Sequence, residues 1–240
     1  SGMMQGNIKS DCAPLNGLCA AILESGTVRV AAFASTAIRW LPGIVDEFTN
    51  AHPKVELEFA CFEDQRAIEE GVLRGEFDCG FIVLPPQEKF FVIPLAQDPI
   101  YVALAPHHPL AQEDFFPREA LASEPYIKIR NPGYSEYDAV FDRHEVVPRT
   151  RFVMDNDFAV MGMVNKGLGY SLFPKLILRK APFQLARIEL EIPTHRELGI
   201  AMRSWDRASM AAKAFVETVR TWVAAWDERV EFDERWDNLG

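Results

Sequence analysis

Cysteine is scarce in this chain. Its 240 residues include four, Cys12, Cys19, Cys61 and Cys79. None forms a C-x-x-C pair or stands beside a histidine, so the spacing speaks against a disulfide framework or a local zinc site and leaves buried, reduced thiols as the reading. No run of about eighteen apolar residues occurs, so no segment reads as a membrane-spanning helix. The opening SGMMQGNIKS has neither the basic start nor the apolar core of a secretion signal. These absences predict a cytoplasmic protein. Positive charge is also short: 25 Lys and Arg face 35 Asp and Glu, a formal charge of −10. That balance repels a polyanion, and the chain taken alone is expected to bind nucleic acid poorly.

The patterns that announce catalysis are missing too. There is no G-x-S-x-G, no G-x-G-x-x-G and no G-x-x-x-x-G-K, the loops that expose a nucleophile or cradle a phosphate. Lys166-Gly167-Leu168-Gly169 follows a helix pattern instead of opening one. His107 and His108 have no carboxylate at metal-ligand spacing and read as loop-positioning side chains. Glu69-Glu70 and Asp155-x-Asp157 read as solvated helix faces and caps rather than acid–base pairs. No catalytic residue, metal or cofactor is expected.

What is present is a βα rhythm. TVRVAAF from Thr27 is β-branched and alternating, a buried strand. Ser35 and Thr36 follow as helix caps, with Ile38, Leu41, Ile44, Val45 and Phe48 at helical spacing and Pro42 forcing a kink or restart. VELEFAC at residues 55–61 alternates apolar with Glu56 and Glu58, a half-solvated strand. Asp64 can cap a helix through Ile68, Val72 and Leu73 that stops at Gly75. Residues 78–84 form the next strand and Ile100 to Ala105 a fourth. A second series begins at Tyr126, with strands YIKIR and TRFVM and three potential caps, Asp155, Asn156 and Asp157. It continues with a helix through Phe158, Met161 and Val164, a buried strand at 168–173, and strands at 184–190 and 198–203. A long amphipathic helix opens at Ser204 or Asp206 and carries Phe215, Val219, Trp222, Val223 and Trp226 on one stripe.

Short strand–helix–strand spacings mean right-handed crossovers and a largely parallel sheet. Two such series, joined near 123 and again near 200, predict two α/β lobes with a cleft between them. The expected division is 26–122 plus 201–226 for lobe I and 123–200 for lobe II. Residues 1–25 are expected to be a tail or linker remnant with a short helix near Leu15 to Leu23, and 227–240 an acidic tail. The Ser35-Thr36 turn, at the carboxyl end of the first strand, offers hydroxyls and free N–H groups of the kind that hold an anion. Phe62 to Gln65 lie at the same sheet edge, and Gly169-Tyr170-Ser171 can face them. Residues 123–200 hold eleven basic and ten acidic side chains, so lobe II is the less repulsive side for a small anion.

These residues resemble the effector-binding domain of LysR-type transcriptional regulators. The likeness runs through Gly26-Thr27-Val28-Arg29-Val30, Ser35-Thr36-Ala37, Leu41-Pro42 to His52-Pro53, and Gly75-Glu76-Phe77-Asp78. It continues in His108-Pro109-Leu110-Ala111 and in Val164 to Gly169 before Phe173-Pro174. The resemblance implies a fold similar to type 2 periplasmic binding proteins: two Rossmann-like lobes of mostly parallel sheet, two crossovers and a small, anionic effector between them. It implies that Ser35 and Thr36 donate to an effector carboxylate, that Phe33 and Ala105 line one side, and that Tyr170 and Ser171 line the other. Many members carry Ser or Thr after the second strand; here Asp64-Gln65 stands, and Asp64 repels a carboxylate unless it turns away to cap its helix. The resemblance also implies a homodimer or tetramer, with the strand at 55–61 and the helix at 38–48 in the contact. DNA would be bound only through a winged helix-turn-helix ahead of this domain, either cut away, as the Ser1-Gly2 start suggests, or naturally lacking. The alternative is a stand-alone or exported solute receptor of the same fold.

Overall fold

The structure is a computed structural model that describes residues 25–179 and 181–226. The expected tails, the short helix near Leu15 to Leu23, and Cys12 and Cys19 lie outside the described residues.

The first β-branched run forms β1 (Gly26–Ala32), buried at Val28, Val30, Ala31 and Ala32. Two helices follow, α1 (Ala34–Arg39) and α2 (Leu41–Ala51). The break falls at Trp40, and Pro42 sits in the first turn of α2, where its missing N–H costs nothing. Edge strand β2 (Val55–Cys61) is half-solvated, with Glu56, Glu58 and Phe59 exposed. Cys61 is exposed there as well, a correction to the expectation that it is buried: it occupies the edge strand of the sheet, with no further strand beyond it among the described residues. Cys79 is buried, and burial pushes its thiol up from the ordinary value, which keeps it protonated and unreactive. Next come α3 (Gln65–Leu73), ended by Arg74 and by Gly75 at a φ of 75°, and β3 (Cys79–Leu84).

The following strand is longer than its apolar pattern suggests. β4 (Phe91–Leu104) runs for fourteen residues through Pro94 and Pro99. Pro94 is accommodated because β10 shifts register opposite it, between Leu198 and Gly199. After β5 (Phe115–Phe116) and α4 (Arg118–Ser123) the second series runs β6 (Pro125–Ile129), α5 (Glu136–Arg143), β7 (Arg149–Met154), α6 (Asp157–Asn165), β8 (Ser171–Pro174) and α7 (Lys175–Leu178). The chain then makes β9 (Ala186–Leu190), β10 (His195–Met202) and α8 (Met210–Ala224). Ser209, rather than Ser204 or Asp206, caps α8 by accepting the Ala212 N–H.

The sheet order is β2-β1-β3-β10-β4-β9-β5, with β8 also on β4, and β6 and β7 make a separate parallel pair. Pairing is parallel among β1, β2 and β3 and antiparallel where β10 and β4 join the rest, so the sheet is mixed. β4 serves two apolar clusters. Ile93, Leu95 and Ala96 pack with the cluster that β1, α2 and α8 build around Phe48, Phe81 and Phe215. Ile100, Val102, Ala103 and Leu104 belong to the cluster around Tyr126, Phe141, Leu172 and Phe173. A third, smaller group under α3 holds Ala31, Ile68, Ile82 and Ala201.

Candidate functional site

The carboxyl ends of β1, β2 and β3 meet the starts of α5 and α6 around a cavity of about 530 Å³, a size suited to a small metabolite. Its lining draws on Phe33 to Ser35, Glu63 to Arg66 and Val83 to Pro85 on one side. Ile129 to Pro132 and Tyr134 to Tyr137 form the other, with Thr194 to Glu197 of the β10 approach between them.

At one edge lies a buried ion pair. Arg196 of β10 and Asp98 of β4 are direct cross-strand partners. The Arg196 Nε and Nη2 stand 3.0 and 2.9 Å from Asp98 Oδ2, and Nη2 also donates to Ser35 Oγ at 2.9 Å. The other oxygen of Asp98 accepts the Leu176 N–H at 2.9 Å, so α7 is tied to the same group. Burial pushes the Asp98 carboxyl up from its ordinary range, while the Arg196 guanidinium, the Leu176 N–H and Lys175 pull it back. The guanidinium lies 5.2 Å from the centre of the Phe33 ring. Its remaining nitrogen, Nη1, faces Glu136 Oε1 at 3.7 Å.

Of the residues expected to touch a ligand, the cavity brings together Phe33, Ser35, Asp64 and Gln65. Thr36, Ala105, Tyr170 and Ser171 do not line it. The Thr36 hydroxyl is fully buried and donates to Phe33 O at 2.9 Å. Tyr170 donates to Leu121 O and Ser171 to Ile127 O at 2.8 Å, while Ala105 is buried. The last three sit in or beside the second apolar cluster because β8 pairs with β4 there and the 168–171 turn runs against β6. Asp64 does turn to its helix: Oδ1 accepts the Arg66 N–H at 2.9 Å. Gln65 clamps the end of β3, its amide nitrogen donating to Val83 O at 2.9 Å and its oxygen accepting the Val83 N–H at 2.7 Å. His108 has a positioning role, with Nε2 3.1 Å from Glu124 and Nδ1 accepting the Leu110 N–H at 3.0 Å.

The cavity also holds a set of carboxylates, of which Asp64, Glu69, Asp155 and Asp157 read from the sequence as caps or solvated faces. Glu63, Asp64 and Glu69 line one side, Glu136, Asp155 and Asp157 the other, and Glu197 the β10 edge. Asn156 is the cap of α6, accepting the Ala159 N–H at 2.9 Å, which leaves Asp157 in the first helical turn. Glu69 accepts the Gln87 N–H at 2.8 Å and Glu197 lies 3.7 Å from His195. Glu63, Asp155 and Asp157 make no salt bridge among the described residues.

Burial raises the Asp157 carboxyl, and the nearby Glu63 and Glu136 carboxylates raise it further, against the pull of Arg196. A carboxyl whose folded pKa exceeds its unfolded value destabilises the fold when ionised. That penalty is full above the folded pKa, shrinks as pH falls through it and is gone below the unfolded value. Asp157→Asn is therefore expected to hold the melting temperature at pH 7 or raise it by about 1–2 °C, the gain shrinking as pH falls through the folded pKa. A drop of more than about 2 °C in differential scanning calorimetry would contradict this, since it would mean that the ionised group stabilises α6.

The family profile of the LysR substrate binding domain matches residues 22–224. An uncharacterized HTH-type transcriptional regulator of Bacillus subtilis, YvbU, is 27% identical over 202 residues, 82% of this chain and 68% of its own length. The effector binding domain of QuiR, solved in complex with shikimate, superposes with a TM-score of 0.74 at 22% identity, covering 83% of this chain and 98% of that one. The BenM effector binding domain with its effector benzoate gives a TM-score of 0.73 at 22% identity over 84% of this chain and 94% of that one. These two likenesses establish the fold.

Proposed function

Because the chain belongs to the LysR substrate binding domain family, we propose that it is the sensing part of a transcriptional regulator and holds a small-molecule effector in the cavity beside Arg196. The observation that carries this reading is the cavity's position. Its lining is drawn from both the 26–122 and the 123–200 series, with Thr194 to Glu197 at the start of β10, the strand that pairs with β4, between them. Elements on both sides contribute walls, so a ligand bound there favours one relative placement of the two lobes, with 201–226 completing the first. Phe33, Ser35, Asp64 and Gln65 form the lobe I wall, and Tyr137, Ala139 and Asp157 belong to the facing one. Thr36, Ala105, Tyr170 and Ser171 support the walls from behind.

The chain spans about two thirds of the length of the Bacillus relative. DNA contact is assigned to a winged helix-turn-helix ahead of this domain, and the regulator works in the cytoplasm. Copies pair through β2 and α1–α2, a reading supported by the exposed Phe59 and Ile38, 39% and 49% accessible on that face. The domain binds its effector without making or breaking bonds.

Calorimetric melting against a metabolite panel tests the central point. A true effector at one hundred times its dissociation constant should stabilise the fold by about 2.7 kcal/mol. Ala139→Trp, which fills the cavity from α5, should abolish that gain, and mass spectrometry should recover the compound unchanged. Stabilisation that survives Ala139→Trp, or conversion of the compound, would overturn the reading.

A further inference from the structure

We propose that the ligand of this cavity carries a protonated amine, seated among Glu63, Glu136 and Asp157; this rests on the reading of the cavity as the effector site. The charge over 123–200 favours an anion, but the lining is a different population. Seven carboxylates line the cavity against three guanidinium groups, Arg66, Arg130 and Arg196. The most buried of those three is already compensated by Asp98, so the field met by an entering ligand is negative.

Several groups that could receive an anion are engaged within the protein. Ser35 Oγ accepts from Arg196 and the Thr36 hydroxyl donates to Phe33 O. The starts of α3, α5 and α6 are capped by Asp64, by the Ser135–Asp138 box and by Asn156. A carboxylate arriving here would join a crowd of like charges, opposed by the exposed Arg66 and Arg130 and by Nη1 of Arg196.

A cation meets the opposite situation. Glu63 and Asp157 come from facing walls and make no salt bridge among the described residues, and the Glu63 carboxylate is close enough to raise the Asp157 carboxyl. Glu136 adds a third carboxylate, 3.7 Å from Arg196 Nη1. An ammonium group between them donates to three carboxylate acceptors in charge-assisted hydrogen bonds and removes the repulsion. The site is also asymmetric, because Nη1 is the one guanidinium nitrogen of Arg196 that makes no hydrogen bond to Asp98 or Ser35. The amine can therefore belong to a simple polyamine or to a basic amino acid whose carboxylate reaches Nη1.

Isothermal titration calorimetry of the full chain at low salt, with putrescine, cadaverine, spermidine, L-lysine and L-arginine against benzoate and shikimate, tests the proposal. At least one amine should bind, less tightly as salt rises, and both acids should fail. Glu63→Gln and Asp157→Asn should each weaken the amine about fivefold or more. Glu56→Gln, the same charge change on exposed edge strand β2, should leave binding intact. Lysine binding more tightly than cadaverine, its decarboxylated counterpart, would assign the carboxylate to Arg196, and equal or weaker binding would assign a simple amine. Glu63 is exposed on a loop, so its variant reports binding rather than folding. If an acid binds, loses binding in Ala139→Trp, and no amine binds, the cavity is the effector site and the amine proposal is overturned. It is overturned as well if no panel member binds, or if amines bind equally to wild type, Glu63→Gln and Asp157→Asn. An amine that still binds Ala139→Trp overturns the cavity reading itself.

Discussion

Arg196→Met is expected to cost the fold about 3–5 kcal/mol, the range for removing one partner of a buried ion pair. The side chains of Arg196 and Asp98 are 7% and 6% exposed, so solvent screens them little. Without the guanidinium the Asp98 carboxylate keeps the Leu176 N–H as its hydrogen bond and is otherwise desolvated. The wild-type carboxyl is already raised by burial, and losing Arg196, the leading influence that lowers it, raises it further. The sign follows from linkage: the penalty of the variant is full above the folded pKa of Asp98 and shrinks as pH falls through it. Urea unfolding should therefore show the largest gap between variant and wild type near neutral pH and a smaller one in mild acid. Arg196→Met combined with Asp98→Asn should recover much of the loss, because a neutral amide tolerates burial better than an orphaned carboxylate. A single variant within about 1 kcal/mol of wild type would sink this account of β4 and β10.

Phe215→Ala should cost a comparable 3–5 kcal/mol. Phe215 is fully buried in the middle of α8, with its ring centre 5.4 Å from that of Phe48 in an edge-on contact and 6.4 Å from that of Phe59. Truncation removes apolar burial and leaves a void between α8, α2 and β2 that packed helices close only in part. Since single domains are stable by about 5–15 kcal/mol, the loss takes a large share of the total. Thr221→Ala on the exposed side of the same helix should stay within about 0.5 kcal/mol. Equal losses at the two positions in chemical denaturation would show that α8 does not pack by the stripe described.

The two predictions differ in how far they can be read from the chain alone. Periodicity is local, and it carries Phe215: the spacing of Phe215, Val219, Trp222 and Val223 marks a buried stripe before any partner is known, and all four are buried. The same locality makes β1, the restart at Trp40–Pro42 and the Asp64 cap legible, since each depends on neighbours within a few residues. Arg196 is of another kind. It stands 98 residues from Asp98 and 161 from Ser35, and within HRELGIAM nothing separates it from an ordinary surface arginine.

The site residues divide along the same line. A strand end followed by Ser35 points to a ligand-facing turn. Whether Thr36 faces the cavity or its own backbone depends on the helix phase set by packing against α2 and α7. Tyr170 and Ser171 turn into the second cluster because β8 lies antiparallel on β4, a pairing that leaves no short-range trace. The carboxylates show the gap most clearly: Glu63, Glu136 and Asp157 are scattered along the chain, Asp157 reads as a cap, and the local pattern singles out neither Glu63 nor Glu136. The principal strands and helices of both series, their order and the buried stripe of α8 follow from local spacing and backbone chemistry. The charge of the cavity and the arginine at its edge exist only once antiparallel β4 and β10 bring distant residues together, because electrostatic energy depends on distance in space and not on separation along the chain.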